Sequence, residues 1–240
     1  MSVIVVGASG ATGRLLVEQL LSRGLKVKII VRDPAKLPEN LRNDRDLTII
    51  QANLLDLSDS ELVKHVRGCA AIASCLGHNL TFKGIFGPPR DLVTRAVRRL
   101  CNAVRTNRPE TPVKFILMNT TGNRNRDVDE RQSLPEKFVI GLLRLVLPPQ
   151  VDNENAAEYL RSEIGLANPA IAWAAVRPDS LIDAARVSEY ELCESPVRSP
   201  IFDAGKTSRI NVGHFMAELI TDDAIWEKWR GRMPVIYNAQ

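Results

Sequence analysis

Apolar positions along the chain fall in short runs separated by polar turns, and the runs alternate between two periods. Residues 3–6 (Val-Ile-Val-Val) are continuous and β-branched, which predicts a buried strand. Residues 14–23 pair Leu16 with Leu20 and Val17 with Leu21 at i,i+4, the spacing of an amphipathic helix, and Gly24 stands where a left-handed cap closes one. Residues 27–31 predict a second strand, 47–51 a third, 70–77 a fourth with its exit, 113–118 a fifth and 170–176 a sixth, with a short last strand at 235–237. Between them, Ser58 and Glu61 form a capping box ahead of Leu62, Val63 and Val66, and Gly68 ends that helix. Residues 91–106 carry Val93, Ala96, Val97, Leu100, Cys101 and Val104 on one stripe, 153–163 continue the helical spacing, and 212–220 predict a late helix with Asn211 as its N-cap. Alternating strands and helices over 240 residues predict a single α/β domain, 1–240, around a mostly parallel sheet.

The turn between the first strand and first helix reads Gly7-Ala8-Ser9-Gly10-Ala11-Thr12-Gly13, a GxxGxxG spacing. A helix N-terminus carries unpaired N–H groups and a partial positive charge, and a pyrophosphate satisfies both. Gly7 permits the sharp turn, Gly10 the approach of backbone to phosphate, and Gly13 close packing of helix on strand. A glycine triplet alone is weak evidence; placed between a strand and an amphipathic helix, with a second strand behind, it predicts a dinucleotide site. Arg32 closes the second strand, where the adenosine ribose would lie. An arginine there pairs with the 2′-phosphate of NADP, and Lys36 and Arg14 add charge. Asp33 follows directly, and a register one residue later would read NAD instead.

The other strand exits supply further candidates. Asn53 and Leu54 leave the third strand beside the adenine position, Asn53 reading equally as a turn residue. Leu76-Gly77 lets backbone pass close to the pyrophosphate and the nicotinamide ribose. Thr120 and Thr121 leave the fifth strand with hydroxyls facing the nicotinamide, or serve as turn formers. His78 reads as a solvated loop histidine, the alternative being a site residue. Residues 79–89 predict a long loop rimming a pocket, and 123–132, polar and charged, an exposed mobile one. Residues 138–147, almost wholly apolar and stopped by Pro148-Pro149, predict a helix over the cleft or a dimer contact. Residues 179–207 read as irregular chain shaping the substrate side.

Composition changes little. A net charge of +4 suits an anionic cofactor and is too small to argue for nucleic acid. Arg95, Arg98, Arg99 and Arg105 lie off the stripe of their helix and read as a solvated face or a partner surface, with few aromatics to stack bases. Cys69, Cys75, Cys101 and Cys193 form no CxxC and predict reduced thiols in a cytoplasmic protein with no metal site. The glycine turn interrupts the first apolar run after four residues, too early for a signal peptide or a membrane span there.

Taken together, the GASGATGR of residues 7–14, Arg32, residues 53–56, Leu76-Gly77, Val176-Arg177-Pro178 and residues 208–212 resemble, in order and spacing, the atypical short-chain dehydrogenase/reductases. The nearer groups are the NmrA-like NAD(P)-binding proteins and the flavin (biliverdin) reductase-like proteins. The resemblance implies a Rossmann sheet of six to eight strands, with helices on both faces and residues 179–210 on the substrate side. It implies pyrophosphate on Gly10, Ala11 and Thr12, adenine near Asn53 and Leu54, and nicotinamide near Thr120, Thr121 and Pro178. Ser9 and Gly13 belong to the same turn. Catalytic members of the wider family use a Tyr-x-x-x-Lys pair as general acid. Aligned by the Ala-Glu-x-Leu-Arg tail of the helix, this chain has Pro149 and Asn153 at those positions, and Tyr159 is followed four residues on by Glu163. The expectation is an NADPH-dependent reductase of a flavin, quinone or similar planar acceptor, with NADP(H) preferred over NAD(H) and Thr121 orienting the substrate. The alternative is a non-catalytic NADP(H)-binding sensor of NmrA-like type acting on a protein partner.

Overall fold

A computed structural model describes residues 1–78, 81–130 and 133–239. In chain order the elements are β1 (Ser2–Val6), α1 (Ala11–Ser22), β2 (Lys26–Val31), α2 (Glu39–Arg42), β3 (Leu47–Gln51), α3 (Asp59–Val66), β4 (Ala71–Ser74), α4 (Phe82–Phe86), α5 (Leu92–Asn107) and β5 (Val113–Met118). Then come α6 (Leu134–Val146), α7 (Pro148–Glu158), β6 (Ile171–Pro178), β7 (Ser180–Ile182), β8 (Tyr190–Cys193), β9 (Lys206–Ser208), α8 (Arg209–Thr221), α9 (Asp223–Trp229) and β10 (Val235–Asn238).

The main sheet has eight strands in the order β3-β2-β1-β4-β5-β6-β10-β8. The pairs from β3 through to β10 are parallel, and β8 runs antiparallel to β10 at the edge. This is the Rossmann doubly wound α/β architecture the sequence predicts. Both faces are covered, so the strands read as continuous apolar runs. Ile4 and Val6 join the core beneath α3, α5 and α7, while Val3 and Val5 join the core beneath α1, α8 and α9. The alternation of side chains along a strand divides one run between two cores. The predicted stripe of α5 is buried throughout, and the capping box at Ser58 and Glu61 is present.

Several boundaries differ from the sequence reading. Within 79–89, of which Asn79 and Leu80 lie outside the described residues, Phe82–Phe86 is helical. Pro148 and Pro149 end α6 but also begin α7, because proline has no N–H to lose at a first helical turn and its φ is already helical. The chain past Glu158 widens into a π-helical turn, Tyr159–Ile164. The region 179–207 is not irregular: it holds β7 and β9, which pair parallel with each other, and β8 on the main sheet. Ser208, not Asn211, caps α8, its hydroxyl accepting from the Asn211 N–H at 3.3 Å. Asn211 is fully buried and donates through Nδ2 to Asn238 at 2.8 Å. The helix α9, whose Ile225, Trp226 and Trp229 pack inward behind an Asp222 cap, lies outside the elements the sequence reading predicts. Among the described residues no helix is long and apolar enough to cross a membrane.

Candidate functional site

β1 pairs on one side with β2 and on the other with β4, so the strand order reverses there and a crevice opens beyond the carboxyl ends of β1 and β4. Gly7 turns the chain at that point with φ +78°, a left-handed conformation that favours glycine. A Cβ on Gly7 would overlap the Cys75 carbonyl at the β4 exit, and one on Gly13 would overlap the Gly7 carbonyl. The turn is therefore as tight as backbone allows. Its carbonyl accepts the Gly10 N–H at 3.0 Å, and the first helical bond runs from Arg14 N–H to Gly10 oxygen at 3.0 Å.

Ala11, Thr12 and Gly13 precede that first helical bond, so their N–H groups point out of the helix end. α1 has no acidic residue in its first turn and no side-chain cap. Ser9, Gly10 and Ala11 are exposed, while Thr12 and Gly13 are buried. An open, positively polarised helix end whose approach is lined by glycine fits a pyrophosphate in donor set and in space.

Arg32 is exposed immediately after β2, and Lys36 is exposed in the short 3-10 turn that follows. Asp33 is occupied: its Oδ1 accepts the Ala35 N–H at 3.0 Å and starts that turn. Arg14 lies on α1 with its guanidinium 3.9 Å from Glu18. At the β3 exit, Asn53 donates to Asp56 at 2.9 Å, the turn role that the sequence left open, while Leu54 packs into the core. Arg99 was expected on a solvated basic face. Instead it reaches across to this turn, donating to the carbonyls of Leu54 and Leu55 at 3.0 and 2.8 Å and to Asp59 at 2.9 Å. Arg98 pairs with Glu163 at 2.8 Å and Arg95 lies 3.9 Å from Asp91, so three of the four arginines of that face have a carboxylate partner within the protein itself.

The β4, β5 and β6 exits come together. Leu76 is half-buried and Gly77 exposed. Thr121 N–H donates to the Pro178 carbonyl at 3.1 Å, and Asn119 is buried with its Nδ2 donating to the Asn153 carbonyl on α7 at 2.9 Å. Thr120 accepts the Gly122 N–H at 3.2 Å through its hydroxyl. Thr121 is buried and lines a cavity of about 200 Å³ with Glu130, Glu136 and Ser199. The same segment, 196–200, also borders a larger cavity of about 640 Å³ against Lys206 and Tyr237. Residues 196–200 of the 179–210 region thus flank Thr121.

Three neighbours of these exits make contacts that no local pattern announces. Asp179 accepts the Gly205 N–H at 2.9 Å, and its carboxyl, beside the Thr121 hydroxyl, is held above the ordinary aspartate value chiefly by burial. Arg177 is fully buried in β6, donating to the carbonyls of Met233, Asn123 and Glu194 at 2.7–3.0 Å, with the Glu130 carboxylate 2.7 Å away. That clamp corrects in part the expectation of an exposed 123–132 loop: Asn123, Asn125 and Glu130 are buried while Arg124, Arg126, Asp127 and Asp129 are exposed, Arg131 and Gln132 lying outside the described residues. In the sequence Arg177 is a charge standing between an apolar run and a proline, within the Val176-Arg177-Pro178 of the family resemblance. His78 corrects the expectation of a solvated ring. Its side chain is 4% exposed, with Nε2 2.8 Å from the carboxylate of Asp152.

At the positions where the wider family carries tyrosine and lysine, α7 offers Pro149 and Asn153. Tyr159 is buried in the core beneath the Arg98 guanidinium, 4.8 Å from its ring centre. Among the described residues no cluster could hold a metal ion.

A family model described as NAD(P)H-binding matches residues 7–223. The chain belongs to this NAD(P)H-binding family. Its fold is shared with an anaerobilin reductase from Escherichia coli O157:H7, at 16% identity and a TM-score of 0.69 over 100% of this chain and 98% of that one. A candidate NADH-flavin reductase from Streptococcus pneumoniae matches at 18% identity and a TM-score of 0.66, covering 100% of both chains. A short-chain dehydrogenase/reductase from Veillonella parvula, solved with NADP, matches at 15% identity and a TM-score of 0.70 over 99% of this chain and 94% of that one. A curated sequence, an uncharacterized chloroplastic protein of Arabidopsis thaliana, is 46% identical over 57 residues, 24% of this chain and 20% of its own length. At these identities the solved structures establish the fold of the family member, and its chemistry rests on the site.

Proposed function

We propose that this member of the NAD(P)H-binding family is an NADPH-dependent reductase of a planar acceptor such as a flavin, a quinone or a linear tetrapyrrole. The observation that carries this reading is the pairing of an open dinucleotide cradle with a reaction side that lacks the tyrosine–lysine couple. NADPH, when bound, supplies a hydride. The chain's part is to hold the dinucleotide on the α1 N-terminus, with Arg32 and Lys36 toward the 2′-phosphate, and to present Thr121 toward the acceptor. A reduction of this kind asks the protein to stack and orient two rings, a gain of positioning rather than of acid catalysis. That two proteins of this fold carry bilin- and flavin-reductase names supports the choice of acceptor class.

A second reading, a non-catalytic NADP(H)-binding regulator, is favoured by one feature. Leu134, Phe138, Leu142 and Leu145 stand 50–86% exposed along one side of α6, an apolar stripe of the kind that marks partner surfaces.

The test is oxidation of NADPH followed by its absorbance near 340 nm, with FMN, riboflavin, quinones and a bilin as acceptors. A tryptophan-fluorescence titration of NADPH and NADH runs beside it. Turnover with any acceptor supports the reductase. Tight NADPH binding without turnover across the panel transfers the case to the regulator. No binding sinks both.

A further inference from the structure

The helix α6 lies on the fold with its apolar side turned outward. Of its thirteen residues only Glu136 and Ile140 are buried, and Glu136 is taken up by the capping box with Ser133. Leu134, Phe138, Leu142, Leu145 and Val146 all stand exposed. They are five of the ten large apolar side chains left exposed among the described residues, so the exposure is concentrated on one element and not scattered. At 3.6 residues per turn, Leu134, Phe138, Leu142 and Leu145 fall within an arc of about 80°, opposite Glu136 and Ile140. The stripe runs about 16 Å along the helix axis.

One flank of the stripe is basic. Lys137 and Arg144 stand on the same side of the helix, and with Arg124 and Arg126 they border a concavity of about 520 Å³ that also holds Glu154 and Glu158. Both carboxylates are engaged from within. Glu154 takes Arg144 through contacts of 2.9 and 2.8 Å, and Glu158 takes Arg161 at 2.7 Å with Arg126 at 3.7 Å. Of the two exposed aspartates in the preceding loop, Asp127 is taken by Arg161 at 2.7 Å and Asp129 lies outside this lining. Arg124 and Lys137 are exposed and have no carboxylate within ion-pair distance among the described residues. An uncovered apolar ridge thus runs beside two uncommitted cations.

We infer that this face of α6 docks on an anionic bilayer surface. Leu134, Phe138, Leu142 and Leu145 enter the boundary between headgroups and acyl chains, while Arg124 and Lys137 meet lipid phosphates. The helix lies along the surface, since thirteen residues are too few to span it. The flanking cations favour lipid over a protein partner. An apolar groove on a partner calls for no cations beside the ridge. A headgroup layer supplies oxyanions at the depth to which lysine and arginine stems reach beside an inserted helix, with acyl chains beneath. The inference rests on α6 and its flank alone and is independent of the reductase reading. Because the inner side of α6 lends Glu136 to the Thr121 cavity, docking brings the bilayer to about 10 Å, one helix diameter, from that cavity.

The experiment is sedimentation of the full chain with vesicles of two compositions, phosphatidylcholine alone and phosphatidylcholine with about a third phosphatidylglycerol. The protein should bind the anionic vesicles about tenfold or more better than the neutral ones, and the excess should shrink as salt rises. Arg124→Glu combined with Lys137→Glu should abolish that excess. Arg45→Glu, at the amino end of β3 and so at the other end of the sheet, should leave it nearly unchanged. Phe138→Ser combined with Leu145→Ser keeps every charge and should cost about tenfold or more on both vesicles. All of these side chains are exposed, so circular dichroism melts should match wild type and exclude misfolding. Equal binding to neutral and anionic vesicles overturns the inference, as does the absence of binding to either. Binding that survives the serine pair also overturns it, since that is adsorption of a basic protein and not docking through α6. A dimer in light scattering that the serine pair dissociates, with no vesicle binding, gives the face to a second copy of the chain and overturns it as well.

Discussion

The imidazole of His78 and the carboxylate of Asp152 meet at 2.8 Å across 74 residues of sequence, joining the exit of β4 to the start of α7. Asp152 also accepts the N–H groups of Val93 and Thr94 at 2.7 and 2.9 Å, so a side chain from α7 caps the first turn of α5. The other ring nitrogen of His78 lies 3.2 Å from the Gly84 carbonyl, which ties down α4. One buried carboxylate thereby organises three elements around Leu76-Gly77.

Removing that carboxylate leaves two backbone donors and an imidazole without their acceptor in the interior. Asp152→Ala should lower stability by about 3 kcal/mol or more, since each buried donor left without its acceptor costs about 1–3 kcal/mol. Asp152→Asn keeps one acceptor oxygen and should lose less. Urea denaturation measures both. A loss below that of an ordinary surface substitution in Asp152→Ala would mean that the cap is replaced by water.

The two glycines of the α1 turn should separate folding from binding. A Cβ on Gly13 overlaps the Gly7 carbonyl at 2.2 Å, whereas one on the exposed Gly10 stands 3.2 Å from it, tight but without overlap. Gly13→Ala should therefore lower the melting temperature, at a cost of about 1–3 kcal/mol for overpacking. Gly10→Ala should lose less stability than Gly13→Ala and bind NADPH more weakly, because the added methyl stands where phosphate approaches. Calorimetric melts and NADPH titrations on both variants check this. Equal melting temperatures would contradict the packing argument.

Arg32→Ala should weaken NADPH binding by about 1.5–3 kcal/mol, the worth of a charged hydrogen bond, and leave NADH nearly unchanged. Asp33 sharpens the expectation, since its carboxylate is already committed to the Ala35 N–H and is a poor partner for a ribose hydroxyl. Isothermal titration with both cofactors is the measurement. Equal losses would show that Arg32 does not read the 2′-phosphate.

What the sequence made legible is what short-range physics controls. The glycine turn, the strands, the α5 stripe and the Ser58 capping box each depend on residues within a few positions of one another. The residues that were missed act across the fold. Asp152 has its partners 58, 59 and 74 residues away, and Arg177 clamps carbonyls 54 and 56 residues away. No local pattern announces such a pairing. The same holds for Arg99: read along its helix it is off the apolar stripe, and only the packing of α5 on α3 brings the Leu54 and Leu55 carbonyls to it. Local polarity misled for 123–132 for the same reason, since the buried cation that claims Glu130 lies in β6.

The pH dependence of stability should expose Asp179. Burial raises its carboxyl above the ordinary value of 3.8, against the lowering effect of the Gly205 and Ser180 N–H groups, the Thr121 hydroxyl and the Arg198 charge. A raised acid is favoured in its protonated form by the fold. Its contribution is thus fully present below pH 3.8, and it is lost as pH rises through the folded value. Asp179→Asn keeps an oxygen for the Gly205 N–H and removes the ionisation. The variant should therefore be more stable than wild type at neutral pH, and the difference should close as pH falls toward 3.8. Thermal melts of both proteins from neutral to acid pH read this out. A constant offset at every pH would mean that the substitution changed packing or hydrogen bonding and that the charge of Asp179 is not destabilising.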